Sequence, residues 1–131
     1  MDHHVTPMMV DLARQMRDTN LNWPYAVGDH FCTSLGQMET CLEIDQSNGD
    51  VWLRSHNGRF PLKDVAWLPK RTQALDWLQE HGWRINVHGD EKSARVQAVN
   101  AHSHGSPVLE AIGHNELEAI YDTMLQILDG D

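Results

Sequence analysis

Between Glu39 and Lys63 the chain reads ETCLEIDQSNGDVWLRSHNGRFPLK, with apolar and polar residues alternating around two Asn-Gly pairs, at 48–49 and 57–58. Asn-Gly suits the two-residue type I′ turn of a hairpin, because both central residues must take positive φ. Two such turns predict three antiparallel strands in which Ile44 faces Leu53 and Leu53 faces Leu62, with Leu42, Val51 and Phe60 on the same apolar side. The other side pairs Glu43 with Arg54 and Asp45 with Trp52, a mixed-charge surface of the kind a half-exposed sheet carries. Turn chemistry and side-chain alternation set the same register.

Upstream, Thr6-Pro7 reads as a helix cap followed by proline at the first helical position. Met9, Leu12, Ala13 and Met16 then keep helical spacing over residues 7–18. His30 to Leu35 reads as a strand, Leu35-Gly36-Gln37 as a turn, and Val65 to Leu68 as a last short strand. Residues 25–68 thus hold about five short strands with tight turns, the pattern of a small SH3-like sheet or barrel. From Thr72 the period changes. Thr72 is placed to cap a helix over 73–81 that stops at Gly82. Trp83–His88 and Ala94–Val99 alternate as a hairpin through Gly89-Asp90, and Val108–Ile112 is short enough for a third strand. Asn115 and Glu118 form a capping box for a closing helix over 116–128, where Leu117, Ile120, Tyr121, Met124, Leu125 and Leu128 hold strict helical spacing. The expected class is α+β. An N-terminal helix and SH3-like unit (1–69) precede an α-β-β-(β)-α layer (70–131), joined by the short link Pro69-Lys70-Arg71.

Charge sharpens the picture. The 131 residues carry a net charge of −9, distributed as −6 over residues 1–50, +3 over 51–100 and −6 over 101–131. A chain this acidic is repelled by phosphate backbones, which disfavours nucleic acid as a partner. Acidic ends suit a basic protein partner, and they also serve plain solubility. No apolar run approaches the roughly 20 residues of a membrane span. The start MDHHVTPMMV lacks the basic residues and apolar core of a signal peptide. A cytoplasmic protein without membrane association is expected. Cys32 and Cys41 are too few to brace a chain of this size with disulfides and read as buried or inert thiols.

In the second half, Ala74-Leu75-Asp76-Trp77-Leu78, then Gly82-Trp83-Arg84-Ile85-Asn86-Val87, Ala94-Arg95-Val96-Gln97-Ala98 and Leu109-Glu110-Ala111 precede the closing helix. This succession, over residues 72–128, resembles the phage ABA sandwich domains, small proteins or modules of bacteriophage and prophage genomes. The resemblance implies a phage origin and an α/β/α arrangement; it carries no general activity and no site residues. The segment AHSHGS at 101–106 departs from the pattern.

Candidate chemistry is sparse. His102 and His104, at i and i+2 on an extended segment, point the same way and could share one metal ion if the fold supplied a third ligand; a solvated loop rich in His, Ser and Gly is the plainer reading. Cys41 and His56 are expected opposite each other on the polar face of the meander, a pairing that means catalysis only with an orienting group and a cleft. Arg54, Arg59, Lys63, Lys70 and Arg71 offer a basic strip beside Trp52, the combination that holds single-stranded nucleic acid, although Glu–Arg pairing explains it as well. Dinucleotide, P-loop, Gly-x-Ser-x-Gly and EF-hand signatures are missing. The expectation is a non-enzymatic phage or prophage protein without a cofactor that binds a protein partner and inhibits a host defence or nucleic-acid-processing complex. Its contacts would be Glu116, Glu118 and Asp122 of the last helix, or Trp52 and Arg54 of the sheet. A metal or small-ligand protein using the His loop, and a weak nucleic-acid-binding module, are the alternatives. A homodimer through an exposed strand edge is also compatible with the pattern.

Overall fold

The structure, a computed structural model, describes residues 5–19, 21–89, 92–100 and 108–130. The chain divides into two compact units, Met1–Pro69 and Lys70–Asp131. Among the described residues its α+β architecture comprises three helices and three three-stranded antiparallel sheets.

In the first unit, α1 (Pro7–Asp18) starts where the Thr6 hydroxyl accepts from the Met9 N–H at 3.2 Å, with Pro7 in the first turn. Its apolar stripe, Met9, Val10, Leu12, Ala13 and Met16, is buried. Beside Val10, one turn on, the Arg14 guanidinium donates to the Thr33 and Ser34 carbonyls, at 3.1 and 2.8 Å. Six strands follow. The first sheet pairs β1 (His30–Cys32) with β2 (Met38–Thr40) on one side and, across a long loop, with β6 (Ala66–Trp67) on the other. The second is the meander β3 (Glu43–Ser47), β4 (Asp50–Ser55) and β5 (Gly58–Pro61). The two sheets share one core, in which Phe31, Cys41, Leu53 and Val65 are buried and Ile44, Val51 and Phe60 pack against them.

The first hairpin has the expected register: Glu43 pairs with Arg54, Ile44 with Leu53 and Asp45 with Trp52. Asn48 and Gly49 both take positive φ, 55° and 83°, as a type I′ turn requires. The second hairpin departs from expectation. Its loop is His56-Asn57, with Ser55 paired to Gly58, so Leu53 faces Phe60 and not Leu62. The cause lies outside the hairpin. Glu39 is only 5% exposed, and its carboxylate accepts from the Ser55 hydroxyl at 2.7 Å and from the Asn57 amide at 3.0 Å to each oxygen. Satisfying a buried carboxylate outweighs the local preference of Asn-Gly for one turn. The shift moves the partner by two residues, so the apolar side keeps its face.

Leu42 departs too: it is exposed, and Cys41 takes the inward place. The Cys41 N–H donates to the Asp29 carbonyl at 2.8 Å and its carbonyl accepts from the Gly28 N–H at 2.7 Å, which carries the alternation of β2 one pair further before β3 begins. His56 sits exposed in the second turn, so the expected Cys41–His56 pair on the polar face does not exist.

In the second unit, α2 (Arg71–Glu80) begins before Thr72. Lys70 is its cap residue, and the Lys70 N–H donates to the Gln73 side chain at 2.8 Å. Gly82, at φ 82°, ends the turn after it. The sheet runs β7 (Trp83–Gly89), β8 (Ala94–Asn100), β9 (Leu109–Gly113), in that order. Asp90, expected in the hairpin turn, lies outside the described residues. One face carries Ile85 and Val87, then buried Ala94, Val96 and Ala98, then Leu109 and Ala111. Against it α3 (Glu116–Asp129) packs on β8 and β9, while α2 packs on β7 and on α3. Both helices therefore lie on the same face and the unit has two layers, not the three of an α/β/α arrangement. Gly113 allows the closest approach: a Cβ there would stand 2.7 Å from the Ala119 nitrogen.

Replacing the Asn57 amide by a carboxylate tests the buried cluster. Asn57→Asp removes two donors from Glu39 and adds a like charge, and should cost about 1–3 kcal/mol in urea unfolding at neutral pH. Stability equal to that of the parent would show that Glu39 does not depend on this turn.

Candidate functional site

Two of the expected contact residues, Trp52 and Arg54, lie on the outer face of the meander. There the Arg59 guanidinium sits 4.3 Å from the centroid of the Trp52 ring. Asp45 holds Arg59 through two hydrogen bonds, at 2.8 and 3.3 Å, and Arg59 in turn holds the Asp45 carboxyl below its ordinary range, chiefly through that hydrogen bonding. Arg54 pairs with Glu43 at 3.0 Å. Both guanidinium groups beside Trp52 are thus answered by a carboxylate, and one face of the indole is already covered. A basic strip for nucleic acid loses two of its cations by this pairing, and Arg71, in the other unit, loses a third to Glu116 at 2.9 Å.

The three acids of α3 do not share one exposed face. Glu116 is exposed and paired with Arg71. Glu118 is 2% exposed; it accepts from the N–H and ring Nδ1 of His114, both at 3.1 Å, and so braces the helix entry from within. The capping box is modified accordingly: Asn115 accepts from the Glu118 N–H at 2.9 Å, but the return bond goes to His114 and not to Asn115. Asp122 is half-buried, and desolvation raises its carboxyl above the ordinary value, against the opposing hydrogen bond from Gln126. Helix geometry is the reason. At about 100° per residue Glu118 stands roughly 200° from Glu116, while Asp122, four residues on, falls beside the buried Glu118.

No group of three or more His, Cys, Asp or Glu among the described residues is arranged to hold a metal. His102 and His104 lie outside the described residues. Cys32 and Cys41 are free and buried, and burial pushes both thiols up, away from the thiolate a nucleophile needs. In the first unit Trp23 stacks on Trp67, with ring centroids 6.1 Å apart, beside a cleft of about 190 Å³ that Ala13 and Arg17 also line. The Trp67 Nε1 there is sealed from solvent without a partner.

The surface that stands out is the outer face of β7-β8-β9, which neither helix of the unit covers. Val99 is 40% exposed, Val108, just before β9, is 53% and Ile112 is 63%. The neighbouring polar groups are Arg84, cross-strand from Val99, and the pair Arg95–Glu110 at 2.8 Å. Arg84 is exposed and makes no ion pair or side-chain hydrogen bond with a described residue. Along the edge of β7, between that strand and α2, runs an open groove of about 530 Å³, lined by Leu75, Leu78, Trp83 and Ile85 with Arg84 and Asn86 at its polar side and Val99 of the outer face also reaching it. Val99 and Ile112 were legible as outward-facing from the alternation alone: each falls on the same side of its strand as a charged residue, Arg95 for one and Glu110 for the other. Attention to charge passed over them.

Comparison of the chain with protein-family models, curated proteins and solved structures finds no match. Among the described residues no helix is long and apolar enough to cross a membrane.

The raised carboxyl of Asp122 gives a pH signature. A carboxyl whose pKa is higher in the folded chain lends stability that is complete below the ordinary value of 3.8 and is lost as pH rises through the folded value. Asp122→Asn should therefore gain stability relative to the parent between about pH 3 and pH 7. Parallel pH profiles for the two proteins would show that Asp122 is as hydrated as in the unfolded chain.

Proposed function

We propose that this chain is a non-enzymatic binding protein whose contact surface for another protein is the outer face of β7-β8-β9. The carrying observation is the exposure of Val99, Val108 and Ile112 on a sheet face that no helix of the unit covers, with Arg84, which has no ion-pair partner among the described residues, cross-strand from Val99. Exposed apolar residues gathered on one face and rimmed by charge are how protein interaction sites present themselves. The net charge of −9 and the pairing of Arg54, Arg59 and Arg71 weigh against a phosphate backbone as the partner. The sequence likeness of residues 72–128 to phage sandwich domains motivates a phage or prophage setting, with a host defence or nucleic-acid-processing complex as the partner that is inhibited, although the two-layer packing departs from the arrangement that likeness implies. On this reading the contact moves from the acids of α3 and the Trp52–Arg54 face to the third sheet.

The test is quantitative capture of a partner from host lysate by three forms of the chain: parent, Ile112→Asp and Arg54→Ala. Ile112→Asp should weaken retention by about 30-fold, the effect of losing an interface anchor worth about 2 kcal/mol, with unchanged thermal unfolding, and Arg54→Ala should retain the partner as the parent does. Loss on Arg54→Ala with retention on Ile112→Asp would return the site to the meander and refute the assignment.

A further inference from the structure

The edge of the third sheet says more about how such a partner would be held. β7 is seven residues long, Trp83–Gly89, and among the described residues pairs only with β8, so one row of its backbone N–H and C=O groups has no described strand beside it. Proteins usually blunt such an edge with a proline, an inward-pointing charge, a bulge or a very short strand. WRINVHG contains no proline, lysine or acid, and its register with β8 runs unbroken from Trp83–Asn100 to Gly89–Ala94. The edge is left competent for pairing.

What flanks the edge selects the occupant. The groove between α2 and β7 offers Leu75, Leu78 and Ile85 as its apolar lining and extends round to Val99 of the outer face. On the outer side stand Arg84 and Asn86, with no carboxylate among the groove residues. A strand laid against β7 would send alternate side chains to opposite sides, one set into the apolar groove and the other past Arg84. Charge complementarity then calls for carboxylates on the second set.

We propose that the β7 edge takes up an extended segment of a partner protein that alternates apolar and acidic residues, its apolar side chains entering the groove beside α2 and an acidic one pairing with Arg84. The inference rests on the protein-binding reading above and gives it a mode, strand addition, in which main-chain hydrogen bonds supply affinity and the groove supplies selectivity. Seven paired residues span about 23 Å, so a segment of six to eight residues fills the edge.

A fluorescein-labelled octapeptide alternating leucine and glutamate, titrated into the full chain, is the probe. Saturable binding is expected, together with slowed amide exchange at alternate residues of β7. N-methylation of the peptide on the amides that face the edge should abolish binding, and on the other amides should leave it. Arg84→Glu should weaken the Leu-Glu peptide by about tenfold and favour a Leu-Lys peptide instead. Ile112→Asp should leave peptide binding unchanged, which separates the edge from the outer face. No saturation, indifference to N-methylation, or no response to Arg84→Glu would overturn strand addition. So would a concentration-dependent dimer lost on Arg84→Glu, which would give the edge to a second copy of the chain. If partner capture still depends on Ile112 while the peptide fails, protein binding stands and the mode proposed here falls.

Discussion

The close seat of α3 on the end of β9 is the constraint on which the second unit depends. Ala94, Ala98 and Ala111 keep the inner face of the sheet shallow, and Gly113 leaves room where a Cβ would meet the Ala119 backbone at 2.7 Å. A helix that close buries Ala119, Ile120, Met124 and Ile127, while α2 packs on β7 and on α3. With both helices on one side, neither helix of the unit lies over the other side of the sheet. The exposed valines, Ile112 and the free edge of β7 all follow from that one-sided packing. A third layer would have hidden them.

A second theme is the use of carboxylates as internal braces. Asp29 accepts from the Trp23 indole N–H at 2.9 Å and the Ala26 N–H at 3.0 Å; Glu39 holds the Ser55–Asn57 turn; Glu118 holds the entry to α3. All three are buried. Each satisfies donors that a turn or a helix start would leave orphaned. They contribute to the net charge of −9 without contributing to an acidic surface, so the formal charge of a stretch is a poor guide to the face it shows a partner. Four of the acids that do reach the surface are answered by arginines, Glu43 by Arg54, Asp45 by Arg59, Glu110 by Arg95 and Glu116 by Arg71. Exposed pairs of this kind add little stability, but they quiet the local field, and Arg84 is conspicuous against them.

The parts of this fold that could be read from the chain are those governed by neighbours in sequence. Asn48-Gly49 has no other task, so its turn type and the β3–β4 register follow from backbone preference. Thr6-Pro7 and the stripe of α1, and the apolar spacing of α3, are likewise local. Asn57-Gly58 looked the same and behaved differently because Asn57 answers a carboxylate eighteen residues earlier, a contact that no pattern within the hairpin contains. Leu42 and Cys41 exchanged roles for a similar reason, since the pairing of Cys41 with Asp29 and Gly28 is settled across the first sheet. The burial of Glu118 was legible: it lies on the same side of α3 as Tyr121 and Leu125, where the helical period outweighs its charge.

Labelling single cysteines at adjacent positions of β9 tests the one-sided packing most directly, because Cys32 and Cys41 are buried and leave a quiet background. The account predicts that the thiol of Ile112→Cys reacts with a thiol reagent in the native protein almost as fast as in the unfolded chain, while that of Ala111→Cys is protected until the protein unfolds. Equal protection at both positions would mean that the outer face is covered after all, and the assignment of this sheet as the binding surface would fail with it.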